Sequence, residues 1–440
     1  MKKIIFIIAI FFSFPTFAAT VQEVKTAAGF TAWLVEEHSQ PLISVSIAFR
    51  DSGVAYDAEA ENGRVAMVSE LLSEGVGDMD AKAFSLALEN SAVRLNFSAD
   101  YDNFYASLES LSENKEKAFA YLGLALTNPR FDDSAVERVK SRTLAAIKEQ
   151  QEKPAYRLGR AWQAQLFGKH AYSYPELGTQ EIVQKLTAKD FRRFTSNYLS
   201  RENIIISVVG DITAAELSVL LDKNLEKLPA KYNSEIKISD IAIPDAVKQI
   251  VVDQDIPQTM VRFALKGLKR DDPEFITGFV LNYMLGGSVF GSRLGSEIRE
   301  KRGLAYSVSS ALTPMRHAAI WQGSFATRNE KVGEAVAVLK NTIKEFAENG
   351  VSEKELEDAK KFLTGSFIVG LDSNGSIVNF ITMMQLQNLG IDYIERRNNL
   401  IRATTRQQIN QLAKRLIDVN KLQIVMVGKP NLETTTEKNK

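Results

Sequence analysis

From Val21 the chain reads as strands. Residues 30–35 are strand-like, and over 42–50 Ile43, Val45, Ile47 and Phe49 alternate with smaller or polar neighbours. Asp51-Ser52-Gly53 breaks the run. The period then becomes helical over about residues 60–73, with Val65, Val68 and Leu72 on one stripe, Met67 and Leu71 beside it, and Gly75 and Gly77 closing it. A second helix, 81–90, leads into a predicted hairpin of 93–99 and 104–108 turning at Tyr101-Asp102-Asn103. Three helices follow at 113–126, 132–151 and 155–167, separated by Asn128-Pro129 and Pro154. Thr187-x-x-Asp190 is a capping signal for a helix reaching Leu199, residues 204–209 form a strand closed by Gly210-Asp211, and 214–228 form another helix.

The order then begins again. Asn203 to Gly210, N-I-I-I-S-V-V-G, is echoed by Lys421 to Gly428, K-L-Q-I-V-M-V-G. Phe131-Asp132 and Val351-Ser352 each open a long charged helix, and a helix ending Glu70-Leu71-Leu72 has a counterpart ending Tyr283-Met284-Leu285. The pattern predicts an α+β protein of two homologous duplicated domains, each a mostly antiparallel sheet packed with helices. The domains are placed at 19–229 and 246–430, with an extended polar linker at 230–245 and a polar tail at 431–440.

Composition narrows the class. The 440 residues suffice for two or three domains, and 45% hydrophobic with 25% charged residues is the balance of a soluble globular protein. Lys plus Arg equals Asp plus Glu at 54 each, so nothing asks for nucleic acid. Residues 1–18 have the form of a signal peptide: Lys2 and Lys3, an apolar run over 4–14, and Thr16-Phe17-Ala18 before Ala19. Without it the charge balance is 52 to 54, a net −2. The apolar run is too short to span a bilayer comfortably, so the expected product is exported, without stable membrane insertion, and periplasmic in a Gram-negative bacterium, with an uncleaved anchor as the alternative. The absence of cysteine excludes thiol nucleophiles, thiolate metal ligands and a lipid-bearing cysteine.

The densest candidate chemistry lies in Gly286 to Ser310, GGSVFGSRLGSEIREKRGLAYSVSS. Gly286, Gly287 and Gly291 free the backbone to bend or approach a ligand, Glu297 to Arg302 favour a helical turn, and Gly303 stops it. An alternating run beyond places Tyr306 near the first residue of a strand, so Arg299 and Tyr306 flank one short turn. Spacing alone also allows Arg299 to pair with neighbouring glutamates. The run R-E-K-R-G-L-A-Y-S-V, preceded by Leu285-Gly286-Gly287 and Ser292-Arg293-Leu294, closely resembles the second-half signature of the pitrilysin-type zinc metallopeptidases, which include the mitochondrial processing peptidase and many bacterial relatives. The resemblance implies that Gly286, Gly287, Arg299 and Tyr306 meet a substrate peptide, with Arg299 and Tyr306 assisting a zinc site carried elsewhere.

In that family the catalytic subunit carries H-x-x-E-H on the first helix and a distant Glu as third ligand. Alignment by the surrounding words puts Ala66, Ser69 and Glu70 where His, Glu and His belong, and Ala145 and Ala146 where the distant Glu belongs. Only His38, His170 and His317 exist, far apart, each expected on the surface or in a loop. Asp78 and Asp80 fit a solvated turn, and neither a P-loop nor a G-x-S-x-G elbow is present. The expectation is a secreted subunit with no metal or cofactor of its own, a partner of the same family supplying zinc and H-x-x-E-H. The rival expectation is a non-enzymatic binding or assembly protein on an inactive peptidase fold.

Overall fold

The computed structural model describes residues 20–234, 236–246, 249–288 and 291–432. The leader at 1–18 and the tail beyond 432 lie outside the described residues. The first half runs β1 (Gln22–Lys25), β2 (Thr31–Glu36), β3 (Leu42–Arg50), α1 (Arg64–Leu71), β4 (Gly75–Val76), β5 (Met79–Asp80), α2 (Ala81–Asn90), β6 (Arg94–Ala99) and β7 (Asn103–Leu111). It continues with α3 (Lys115–Thr127), α4 (Asp133–Gln151), α5 (Pro154–Phe167), α6 (Gln180–Val183), α7 (Ala188–Tyr198), β8 (Ile204–Gly210) and α8 (Ala214–Leu225). The second half holds β9 (Gln249–Asp253), β10 (Gln258–Lys266), α9 (Phe275–Asn282), β11 (Val308–Pro314) and β12 (Ala319–Arg328). It ends with α10 (Val332–Asn349), α11 (Glu353–Val369), α12 (Asn374–Leu386), α13 (Tyr393–Ala403), α14 (Arg406–Leu416) and β13 (Gln423–Gly428).

The duplication is written in the sheets. The first has the order β1-β2-β8-β3-β7-β6 and the second, read the same way, β9-β13-β10-β12-β11. In each, one central strand (β3 or β10) has two antiparallel neighbours, and the far pair (β2 with β8, β9 with β13) is parallel. The fold is therefore α+β with two homologous domains, as the repeated order predicted.

Both faces of the central strands are buried, each by a different half. On β10 Val261, Phe263 and Leu265 join the core under the second half's own helices, while Ala264 joins the core that contains α5. On β13 Ile424 and Met426 face one way, Val425 and Val427 the other. Helix α5, from the first half, packs on β9, β10 and β13 with Leu158, Trp162 and Leu166 buried, each large apolar side chain stabilising the seat by about 1.5–3 kcal/mol. Reciprocally α12, from the second half, packs on β3 and β8 through Ile377, Val378, Ile381 and Met384. The small polar residues between the apolar positions of β3 and β8 admit it closely: Ser44, Ser46 and Ser207 are buried, and Gln385 donates to the Ser207 hydroxyl at 2.8 Å.

Three expectations shift. The first helix begins at Arg64 rather than Ala60, because Gly63 takes φ +100° and an added Cβ there would lie 2.6 Å from the Leu177 carbonyl. The turn over Gly295–Glu300 is π-helical, as is Tyr283–Gly287. Among the described linker residues, the chain has no helix or strand but is not free: Ile243 is buried, Tyr232 donates to the Asp51 carbonyl at 2.6 Å, and the Ile241 amide donates to the His317 carbonyl at 2.8 Å.

Candidate functional site

Helix α1 is fixed by a buried ion pair. Arg64 and Asp57 are 2% and 0% exposed; Arg64 Nε donates to Asp57 Oδ1 at 3.0 Å, and Asp57 Oδ2 accepts the Gly63 and Val65 amides, satisfying the helix start. The guanidinium also lies 5.4 Å from the Phe194 ring centre and 5.1 Å from that of Tyr198. Burial pushes the Asp57 carboxyl up to about 7, against the pull of Arg64 and the two amides.

Ala66, Ser69 and Glu70 lie one turn apart on this helix, toward α4. Ser69 spends its hydroxyl on the Val65 carbonyl at 3.0 Å. Glu70 Oε2 accepts from Arg142 at 2.9 Å, and Glu74 accepts from Arg142 at 3.0 Å and Arg138 at 2.7 Å. Burial raises the Glu74 pKa, but these two guanidiniums outweigh it and hold the carboxyl below its usual value. Arg142 stands one turn before Ala146 on α4, so α4 presents a cation toward α1 beside the position of the distant ligand. Ala66 and Ala146 have no donor atom, Ser69 and Glu70 are engaged, and among the described residues no three His, Cys, Asp or Glu could together hold a metal ion. These residues do not fit zinc. The i, i+4 spacings of Glu70 with Glu74 and of Arg138 with Arg142 were the sequence signal for this ion cluster, and sequence reasoning passed over it.

The second half carries the other candidates. Asn282, the last residue of α9, is buried and accepts from the Trp321 indole at 2.7 Å and the Ser310 hydroxyl at 2.8 Å, while donating to the Ser310 carbonyl at 3.1 Å. This amide locks the turn that follows against β11. Gly286 fits there because an added Cβ would lie 2.4 Å from the Ser310 hydroxyl, whereas Gly287 is exposed. Beyond the turn, Arg293 pairs with Glu355 of α11 at 2.7 Å. Glu297 is claimed by Lys301 and Arg302, each at 2.5 Å. Gly303, at φ +59°, reverses the chain, and the Leu304 amide donates to the Ile298 carbonyl at 2.9 Å. The result brings Arg299 and Tyr306 together, with the guanidinium carbon 6.0 Å from the ring centre. Tyr306 is 91% exposed and stands two residues before β11. The Arg299–Tyr306 pair and the α1 positions belong to different halves.

A polar network joins the halves beside the apolar packing of α5 and α12. Tyr56 donates to Asp51 at 2.6 Å, Arg316 pairs with Asp51 at 2.7 Å, and the His317 amide donates to the Tyr172 hydroxyl at 3.0 Å. The His317 ring lies 3.1 Å from the Tyr56 hydroxyl and 3.2 Å from Asp240. His170 likewise reaches the linker carbonyl of Ser239 at 2.9 Å, and His38 sits on the surface between Glu36 and Asp211. All three are surface or loop residues as expected, and two of them tie the linker down. Asp80 caps α2 through the Ala83 amide.

The family models that match are "Insulinase (Peptidase family M16)" over residues 33–180 and "Peptidase M16 inactive domain" over 185–363. The chain belongs to peptidase family M16. This M16 chain is 28% identical over 434 residues to the "Non-peptidase homolog YmxG" of Helicobacter pylori, covering 97% of this chain and 99% of that protein. It is 25% identical over 391 residues to the mitochondrial-processing peptidase subunit beta of Blastocladiella emersonii, covering 86% and 82%. The crystal structure described as a peptidase M16 inactive domain from Pseudomonas fluorescens superposes with a TM-score of 0.87 at 28% identity, covering 94% of this chain and 99% of that one. The M16 chain is thus similar to inactive and non-peptidase homologues over nearly its whole length. No helix among the described residues is long and apolar enough to cross a membrane.

Proposed function

We propose that this M16 chain is the metal-free subunit of an exported two-subunit zinc metallopeptidase, presenting Arg299 and Tyr306 to the peptide held by a homologous partner that carries H-x-x-E-H. The observation that carries the reading is the exposed phenol beside a cation: Tyr306 is 91% exposed, with the Arg299 guanidinium carbon 6.0 Å from its ring centre across the turn that Gly303 makes. A phenol packed for stability would be buried; this one is available to a carbonyl outside the chain. Ala66 has no donor atom and Ser69 and Glu70 are engaged by Val65 and Arg142, so in this reading a metal-bound water nucleophile comes from the partner. The word "subunit" in one relative's name is consistent with such an assembly. The form of residues 1–18 supports export, which in a Gram-negative bacterium means the periplasm.

The test is steady-state peptide hydrolysis by the reconstituted pair, with complex formation followed in parallel. Tyr306→Phe removes one hydrogen-bond donor and should lower turnover by about 10²–10³. Arg299→Ala should weaken the reaction by about 1.5–3 kcal/mol as a charge-assisted contact is lost. Both should leave the complex intact. The second reading, an assembly or binding protein on an inactive fold, is favoured by similarity to a protein named as a non-peptidase homologue. Normal turnover in both variants, with the complex formed, would leave that second reading standing.

A further inference from the structure

A cavity of about 450 Å³ opens between α9, α11 and α13 on one side and the exchanged helix α12 on the other. Its wall is largely aromatic and aliphatic, with Phe275 and Phe279 from α9, Phe367 from α11, and Phe380 and Met383 from α12. Two guanidiniums are set into that wall. Arg270 lies 4.3 Å from the Phe275 ring centre and 5.2 Å from that of Tyr393; it donates to Gln387 Oε1 at 2.8 Å and to the Tyr393 hydroxyl at 2.7 Å. Arg397 lies 4.2 Å from the Phe367 ring centre and 5.6 Å from that of Phe279; it donates to the Leu363 carbonyl at 3.2 Å and to Asn398 Oδ1 at 3.0 Å.

Every one of those acceptors is neutral. Among the described residues neither guanidinium forms an ion pair, and each is half-buried. Burial holds the Arg397 pKa below its usual value, with Arg270 adding to it as a like charge. Two cations in one low-dielectric wall with no carboxylate between them carry a cost that stacking on rings offsets only in part. An anion would remove that cost. The cavity volume falls in the range of small-molecule sites, which join an apolar lining to a few convergent polar groups.

We infer that this cavity binds a small amphiphilic anion, an alkyl carboxylate, with its chain among the phenylalanines and its carboxylate between Arg270 and Arg397. Arg accepts a carboxylate with two parallel N–H donors, and each guanidinium keeps N–H groups beyond those already engaged. The site is remote in sequence from Arg299 and Tyr306, and because α12 rests on the first sheet, an occupant would touch elements seated on both sheets.

Isothermal titration of the full chain with dodecanoate, below its micellar concentration, tests the inference. Saturable one-to-one binding is expected, with dodecanol and acetate at least about tenfold weaker because each lacks one half of the recognition. Arg270→Gln and Arg397→Gln should each weaken dodecanoate by about tenfold. Ile276→Trp, which fills the cavity while keeping both guanidiniums, should abolish binding and guards against a charge variant that fails to fold. Equal affinity for dodecanoate and dodecanol, undiminished binding by Ile276→Trp, or no saturable binding of dodecanoate would each overturn the proposal.

Discussion

The two halves share a strand order, a central strand with two antiparallel partners and a helix laid against the edge strand, yet that helix is anchored by different chemistry in each. In the first half the anchor is ionic and sits at the start of α1, where Arg64 and Asp57 are buried between aromatic rings. In the second it is a neutral amide at the end of α9, where Asn282 serves Trp321 and Ser310. The sheet and its apolar alternation are what the duplication kept. The polar contacts diverged, and with them what each half can offer: an ion cluster of Glu70, Glu74, Arg138 and Arg142 beside α1, and an exposed phenol beside a half-buried guanidinium before β11.

Removing one member of the ionic anchor should have the largest effect. Asp57→Ala leaves the buried Arg64 with Glu61 as its remaining carboxylate and the Gly63 and Val65 amides without their acceptor, and should cost about 3–5 kcal/mol in denaturant unfolding, while the double change Asp57→Leu with Arg64→Met should recover most of it. If the double variant is as unstable as the single, the anchor is not the ion pair. The neutral anchor should be worth less. Asn282→Leu leaves the Trp321 indole and the Ser310 hydroxyl without their buried acceptor, an expected loss of about 2–3 kcal/mol.

Gly286→Ala separates packing from peptide contact at a smaller scale. The new methyl meets the Ser310 hydroxyl, so a stability loss of about 1–2 kcal/mol is expected from overpacking. Unchanged thermal unfolding together with lost peptide affinity would instead assign Gly286 to the ligand. The smallest contrast concerns the helices that precede β8 and β13. Helix α7 is closed by a charged capping box, Thr187 with Asp190, and α14 by a neutral one, Thr405 with Gln408. Burial raises the Asp190 pKa, but the Thr187 contacts and Arg193 outweigh it and hold it below the usual 3.8. A depressed carboxyl contributes stability that is complete above the unfolded pKa and is lost as pH falls through the folded one. Hydrogen-exchange protection at the start of α7, corrected for intrinsic rates, should therefore fall below about pH 4 while that at α14 holds. Parallel loss at both helices would remove the contrast.

Much of this was legible locally. The capping box of α7, the long charged helices α4 and α11, and the repeated strand words rest on contacts within a few residues, and their patterns predicted them. The Arg299–Tyr306 proximity was legible because one glycine-reversed turn joins them. The exchange of α5 and α12 was not, because an amphipathic stripe states that a face is buried without saying on which sheet. Nor was the docking of the linker: Tyr232, Ile238, Ile241 and Ile243 follow neither a two- nor a 3.6-residue period, and their partners lie far along the chain. Arg142 was missed because its role depends on α1 and α4 lying side by side.

Reciprocal exchange of α5 and α12 also governs how this chain can acquire its structure. The face of each sheet left bare by its own helices is covered by a helix from the other half, so neither half is complete by itself. The first sheet gains its last strand, β8, at Gly210, and its open face stays uncovered until α12 begins at Asn374. Contacts of such long sequence separation slow folding and keep apolar surface open to solvent and to other chains in the meantime. Once interlocked, the two halves would remain bound to one another even after a cut in the linker.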